Sequence, residues 1–270
     1  MEEVALKKHG FVTWMIPAVL LVLLVVAVAG PASAVPTEDA KKAYNSGLEA
    51  AKAGKTDSAV AYYESAVKLS PDYLDAHINV GAIYYEKGQL EQAAEHLKAA
   101  IALDSTSTDA YKNLGLVYVQ DGKYDEATGA INHLTPLDAK KASAVWAAMA
   151  QAKKKKGDIE GAKQAYAQAV KTDPSDSKSY YNLGNIQKDN KEYEDAIATY
   201  KKAIAQNPKF IEAYYNLAIS SHQLDMDHCV PDYEAFLKVA AGSSKWKSKV
   251  TEVQGIVKQI KDYLATKGGE

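Results

Sequence analysis

The run Tyr180-Tyr181-Asn182-Leu183-Gly184 returns 34 residues later as Tyr214-Tyr215-Asn216-Leu217-Ala218. The same period can be followed back through the chain. Six units open near Ala40, Leu74, Thr108, Ser143, Ser177 and Ile211. Each holds two helix-length amphipathic stretches with a break between them. The break carries Gly54, Gly88, Gly122 and Gly157 in the first four units, and Lys191 and Asp225 in the last two. A period of about 34 residues built in this way marks a solenoid of helix–turn–helix repeats.

Two columns of the repeat hold small residues. One reads Gly47, Gly81, Gly115, Ala150, Gly184, Ala218; the other reads Ala59, Ala93, Ala127, Ala162, Ala196, and Cys229 if the last turn is one residue short. Glycine inside a helix costs about 1 kcal/mol relative to alanine, so its recurrence points to close helix packing. Large residues alternate with the small ones: His77, Tyr111, Trp146, Tyr180 and Tyr214 on first helices, and Tyr63, Leu97, Ile131, Tyr166 and Tyr200 on second helices. Large against small is how neighbouring layers interdigitate. Pro71, Pro174 and Pro208 close three units, because proline cannot continue a helix.

With alanine, an aromatic residue, alanine and proline following at fixed offsets, these runs resemble tetratricopeptide (TPR) repeats. The resemblance covers residues 40 to about 241 and implies an all-α fold: a right-handed superhelix of about six helix pairs whose first helices line a concave groove. The units read 40–73, 74–107, 108–142, 143–176, 177–210 and 211–241, with a capping helix and tail over 242–270.

The chain of 270 residues is 47% hydrophobic, enough for a core drawn out as a ribbon. Its net charge of −2 argues against an electrostatic nucleic-acid binder. All 32 basic residues are lysine, so the bidentate guanidinium forks that recognise phosphate or carboxylate are missing.

The start of the chain speaks of export. Lys7 and Lys8 precede an apolar run over 11–30, which Pro17 divides, and Pro31-Ala32-Ser33-Ala34 follows. A basic start, an apolar core and an A-x-A ending describe a secretory signal peptide over 1–34. The run also reaches the roughly 20 residues of a membrane anchor, the alternative reading. Either way the repeats face the extracytoplasmic, periplasmic side, and any membrane contact runs through that segment alone. Residues 35–39 read as a linker, with Thr37 capping the first helix and Glu38 and Asp39 in its first turn.

Asn45, Asn79, Asn113, Asn182 and Asn216 fall at one point of five repeats, and Ala148 replaces them in the fourth. Their phase points them towards the groove. A carboxamide offers an acceptor and two donors, which suits a peptide unit. Helices about 10 Å apart and a chain advancing about 3.3 Å per residue match one asparagine to roughly every third residue of an extended peptide. The alternative is that the asparagines bond within the solenoid. Tyr44, Tyr181 and Tyr215, one residue earlier, join the expected groove wall.

The fourth repeat departs from its neighbours. Pro136 cuts the preceding helix, the spacing grows to 35, and Lys153, Lys154, Lys155 and Lys156 end its first helix. The run reads as a solvated helix end favoured by the dipole, or as a basic patch for an anionic partner beside a bend near 135–143.

Gly54-Lys55-Thr56 mimics the end of a phosphate-binding loop, but Glu49 stands where that motif needs glycine. His222, Asp225, Asp227, His228 and Cys229 crowd the last turn without a recognised ligand spacing, leaving a metal-binding protein as a weak alternative. Cys229, the single cysteine, sits in the small-residue column and reads as buried. In the last segment, Trp246, Val250, Val253, Val257, Ile260 and Leu264 form one narrow stripe, as a cap on the final repeat or a seam for a second chain.

Together these features describe a non-catalytic interaction module without cofactor that binds another protein's extended segment. The resemblance implies a role in envelope assembly, secretion or complex maturation. A self-associating scaffold is the alternative.

Overall fold

A computed structural model describes residues 35–267; residues 1–34, expected to be a signal peptide or membrane anchor, lie outside them. Among the described residues there are thirteen α-helices and no strand. They pair as α1 (Glu38–Lys52) with α2 (Thr56–Leu69), α3 (Leu74–Glu86) with α4 (Leu90–Leu103), and α5 (Thr108–Asp121) with α6 (Tyr124–Leu134). The second half pairs α7 (Ala139–Lys155) with α8 (Ile159–Thr172), α9 (Ser177–Asp189) with α10 (Tyr193–Gln206), and α11 (Ile211–Leu224) with α12 (Val230–Ala240). A closing helix, α13 (Lys247–Lys267), follows. No described helix is long and apolar enough to cross a membrane.

Local chemistry sets these boundaries. Thr37 caps α1 by accepting from the Ala40 amide at 3.2 Å. Asp138, Asp158 and Asp176 cap α7, α8 and α9 in the same way. The helices before Pro71, Pro136, Pro174 and Pro208 all stop short of the proline. Asp138 starts α7 at Ala139, four residues ahead of the expected opening at Ser143. Ser143 is instead buried inside the helix, its hydroxyl 3.3 Å from Asp176.

Gly54, Gly88, Gly122 and Gly157 make the turns between paired helices with φ between 71° and 84°. The fifth unit puts Lys191 there, at φ 63°, the one non-glycine residue with positive φ among those described. Lys191→Gly is expected to stabilise the chain by about 1 kcal/mol by removing that strain, read as a higher urea midpoint. The sixth unit does not use the left-handed turn. Asp225 is extended (φ −152°), and a 3-10 turn over Met226–His228 carries the chain into α12.

The core is a ribbon of linked clusters running from Ala50, Tyr63 and Val80 at one end to Phe236, Val253 and Ile260 at the other. The glycine column explains its own cost. A Cβ on Gly47, Gly81 or Gly184 would lie 2.6, 2.8 or 2.7 Å from Tyr63, Leu97 or Tyr200, the large residue on the partner helix. Gly115 differs, since its Cβ would meet Val145 of the next unit at 2.9 Å. At that junction the incoming α7 rests more on α5 than on α6, whereas other first helices rest mainly on the preceding second helix. Helix α6 has only 11 residues where α4 and α8 have 14. The packing change therefore falls at the expected irregularity before repeat four.

All six residues of the C-terminal stripe join the last cluster, with Val253, Val257 and Ile260 buried and Trp246, Val250 and Leu264 packed beside them. The stripe caps the solenoid, which leaves it no free seam for a second chain.

Candidate functional site

Three tyrosines on first helices organise the polar side of the repeats. Tyr44 is half-buried on α1, with its ring 5.5 Å from Tyr63 and 4.9 Å from Tyr73. Its hydroxyl accepts from Asn79 Nδ2 of the next unit at 2.9 Å. The same arrangement recurs four units on. Tyr181 lies 6.1 Å from Tyr200 and 4.8 Å from Phe210, and its hydroxyl accepts from Asn216 Nδ2 at 3.4 Å. Tyr215, in the last unit, packs instead on Phe236 and Trp246 at 5.3 and 5.8 Å, with Lys249 Nζ 5.6 Å from its ring centroid. Trp246, in the turn just before the closing helix, and Lys249, in that helix, thus stand where a seventh unit would have stood.

The asparagine column divides by role. Asn79 and Asn216 spend their amides within the solenoid, and Asn216 also donates to Asn185 Oδ1 at 2.7 Å. Asn185 accepts from Tyr200 Oη at 2.7 Å as well, so the buried tyrosine, two asparagines and Tyr181 form one network. Asn45 is exposed, while Asn113 and Asn182 are half-buried and make no side-chain hydrogen bond among the described residues. Asn185, Tyr73 and Phe210 were not singled out by their columns. The available signal was the matching offset, since Tyr73 and Phe210 each stand 29 residues after a column tyrosine.

Each hydroxyl that accepts from asparagine keeps its own hydrogen to donate. Burial, with the Asp75 charge second, pushes the Tyr44 hydroxyl up to about 12. Burial also raises Tyr200. Tyr44 and Tyr200 therefore remain O–H donors throughout the physiological range.

The lysine run also divides. Lys153 pairs with Asp158 at 3.0 Å and lies 4.7 Å from the Tyr124 ring centroid; Lys156 lies 5.2 Å from the same centroid. Lys154 and Lys155 are exposed. In the last turn, His222 bonds Tyr233 Oη at 2.9 Å and His228 pairs with Asp225 at 2.7 Å. Cys229 is fully buried, as its column implied, and burial raises its thiol pKa. No group of three or more potential ligands is placed to hold a metal ion among the described residues. Gly54-Lys55-Thr56 lies in the α1–α2 turn, where a helix and not a strand leads into it.

A family model described as TPR repeat matches residues 47–88 and 81–122, and one described as Tetratricopeptide repeat matches 147–222. Together they take in more than half of the chain. No curated protein matches it by sequence. Among solved structures, the C-terminal part of a TPR repeat-containing protein from Cytophaga hutchinsonii is 18% identical, with 78% of this chain and 84% of that one covered and a TM-score of 0.58. Pseudomonas aeruginosa pilF is 16% identical over 80% and 98% of the two chains, with a TM-score of 0.51. YrrB, described as a TPR protein with an unusual peptide-binding site, is 17% identical over 67% and 93%, with a TM-score of 0.45. At these identities the likeness concerns the fold.

Proposed function

We propose that this chain, a member of the tetratricopeptide-repeat family, is a non-catalytic module that holds an extended segment of another protein along its first helices. The observation that supports this is the repeated tyrosine–asparagine pair. Asn79 and Asn216 donate to the Tyr44 and Tyr181 hydroxyls, which leaves each hydroxyl its own hydrogen to donate. A peptide carbonyl is the matching acceptor. Asn45, Asn113 and Asn182 supply further carboxamides that make no bond among the described residues, and Tyr215 extends the wall to the last unit. Contacts of this kind grip backbone and tolerate many side chains.

The place of action in this reading is the extracytoplasmic side. Its support is the sequence of the first 34 residues: Lys7 and Lys8, the apolar run and Pro31-Ala32-Ser33-Ala34. Envelope assembly, secretion or complex maturation are the corresponding roles. Lys154 and Lys155 offer a secondary contact to an anionic stretch of the same partner.

The test compares wild-type residues 35–270 with a Tyr44→Phe, Tyr181→Phe variant in capture from envelope extract, followed by titration with the captured partner. Loss of two hydroxyls should weaken binding about 30–100-fold, at about 1 kcal/mol or slightly more for each hydrogen bond. Equal affinity for both proteins would remove the tyrosine hydroxyls from the binding surface.

A further inference from the structure

The second repeat holds a histidine pair that the tyrosine sites do not use. His77 on α3 is 7% exposed, and its Nδ1 lies 3.2 Å from Nδ1 of His96 on α4. On its far side, His77 Nε2 lies 2.9 Å from the carbonyl oxygen of Pro71, in the turn that closes the first repeat. A carbonyl only accepts, so Nε2 carries the hydrogen and Nδ1 of a neutral His77 is bare. His96 therefore donates from Nδ1, which leaves its Nε2 bare. That nitrogen is 3.7 Å from Glu64 Oε1 on α2, the carboxylate that accepts from Tyr84 Oη at 2.5 Å. Two neutral imidazoles thus give each donor an acceptor, and the cluster ties α3 and α4 to the turn and second helix of the first repeat.

We propose that His77 and His96 are an acid-labile staple, which holds the first helix pair on the second while both rings are neutral and releases it when they are protonated.

Acid has one place to put a proton without disturbing the pair, His96 Nε2, where Glu64 faces it. A further proton on His77 Nδ1 would set two N–H groups head to head across the gap and place two cations side by side in a largely buried site. The unfolded chain has no such restriction. Burial first, and the neighbouring His77 second, hold His96 below the usual histidine range, while Glu64 and Glu95 oppose that shift only in part. The groups facing the pair are Glu64 from α2, Tyr84 from α3 and Glu95 from α4 itself. The hydrogen bond to Glu64, ahead of burial, pushes the Tyr84 hydroxyl up to about 12, so it does not titrate with the pair.

A histidine depressed by folding contributes its full stability above the ordinary histidine range. That stability is lost as pH falls from there to the folded value. Each proton bound by the unfolded chain and refused by the folded one lowers the folding constant about tenfold per pH unit. In a solenoid such a loss frays the terminal unit before the rest, since each unit contacts only its neighbours. The Asn79–Tyr44 bond crosses the same junction, whereas the Tyr181 network lies units away. If the groove reading holds, acid dismantles the first tyrosine site and spares the second; the staple itself works whatever the groove contains.

Hydrogen exchange on the full chain at about pH 7.5 and about pH 5, corrected for intrinsic rates, reads the effect across the histidine range. Protection in α1 and α2 should fall relative to α9 and α10, by up to about tenfold per pH unit for each proton the folded pair refuses. His96→Gln keeps a donor for His77 but does not titrate, and it should abolish that difference. A proportional fall in both regions of the wild type, or an unchanged pH response in the variant, overturns the staple. Should His96→Gln fail to fold, NMR titration of the wild-type imidazoles decides: fraying of α1 and α2 must accompany their protonation. Two imidazolium rings with α1 and α2 still protected overturn it equally.

Discussion

Phe236→Ala should destabilise the C-terminal end of the solenoid by about 3–5 kcal/mol, the usual cost of emptying a buried aromatic site. Phe236 is fully buried, with its ring 5.3 Å from Tyr215 and 5.6 Å from Trp246. It is the point where α11, α12 and the start of the closing segment meet. The stripe of Val253, Val257 and Ile260 packs in the same cluster. Urea unfolding should show an early transition, and hydrogen exchange in α11–α13 should rise before that in α3–α5. A loss under about 1 kcal/mol would mean that the closing helix does not depend on this ring.

Gly184→Val should cost about 2–3 kcal/mol through overpacking. Even a bare Cβ there would sit 2.7 Å from Tyr200 Cε1 and 2.9 Å from Cδ1. Tyr200 has no room to yield, being fully buried with its hydroxyl held on Asn185 at 2.7 Å. The better helix propensity of valine recovers only a few tenths of a kcal/mol. Gly129→Val is the control. Gly129 is exposed in α6 with nothing within 4 Å of a built Cβ, so its stability should change by no more than about 0.5 kcal/mol. Equal costs at the two positions would show that glycine is retained for backbone reasons and not for the tyrosine it seats. Displacing Tyr200 also disturbs the Asn185–Asn216–Tyr181 network, so Gly184→Val should weaken partner binding while Gly129→Val leaves it alone.

The histidine staple and the tyrosine sites share a principle. Both use polar groups whose donors and acceptors are matched between one unit and the next, at a place where the apolar ribbon alone would fix only spacing. Buried polar groups must be paired, and in a repeat the partner is found one unit away. That is why Tyr44 to Asn79 and Tyr181 to Asn216 each span 35 residues.

The helix pairs, their turns and the cap were legible in the residues themselves. A 34-residue period, glycine at four turns and proline after helix ends act locally, through φ preferences and missing N–H groups, and so leave their mark in linear order. The burial of Cys229 and the closing role of the Trp246–Leu264 stripe followed from register and helical phase, which are also linear. The division of the asparagines was not legible, because one column contains both Asn79, which is bonded to Tyr44, and Asn182, which has no partner among the described residues. Which of them is free depends on whether a tyrosine hydroxyl of the preceding unit reaches it. The early start of α7, the seat of Val145 on Gly115 and the pairing of His77 with His96 were hidden for the same reason. They depend on how far one helix leans on another, and distances between side chains far apart in sequence are set only when the units stack.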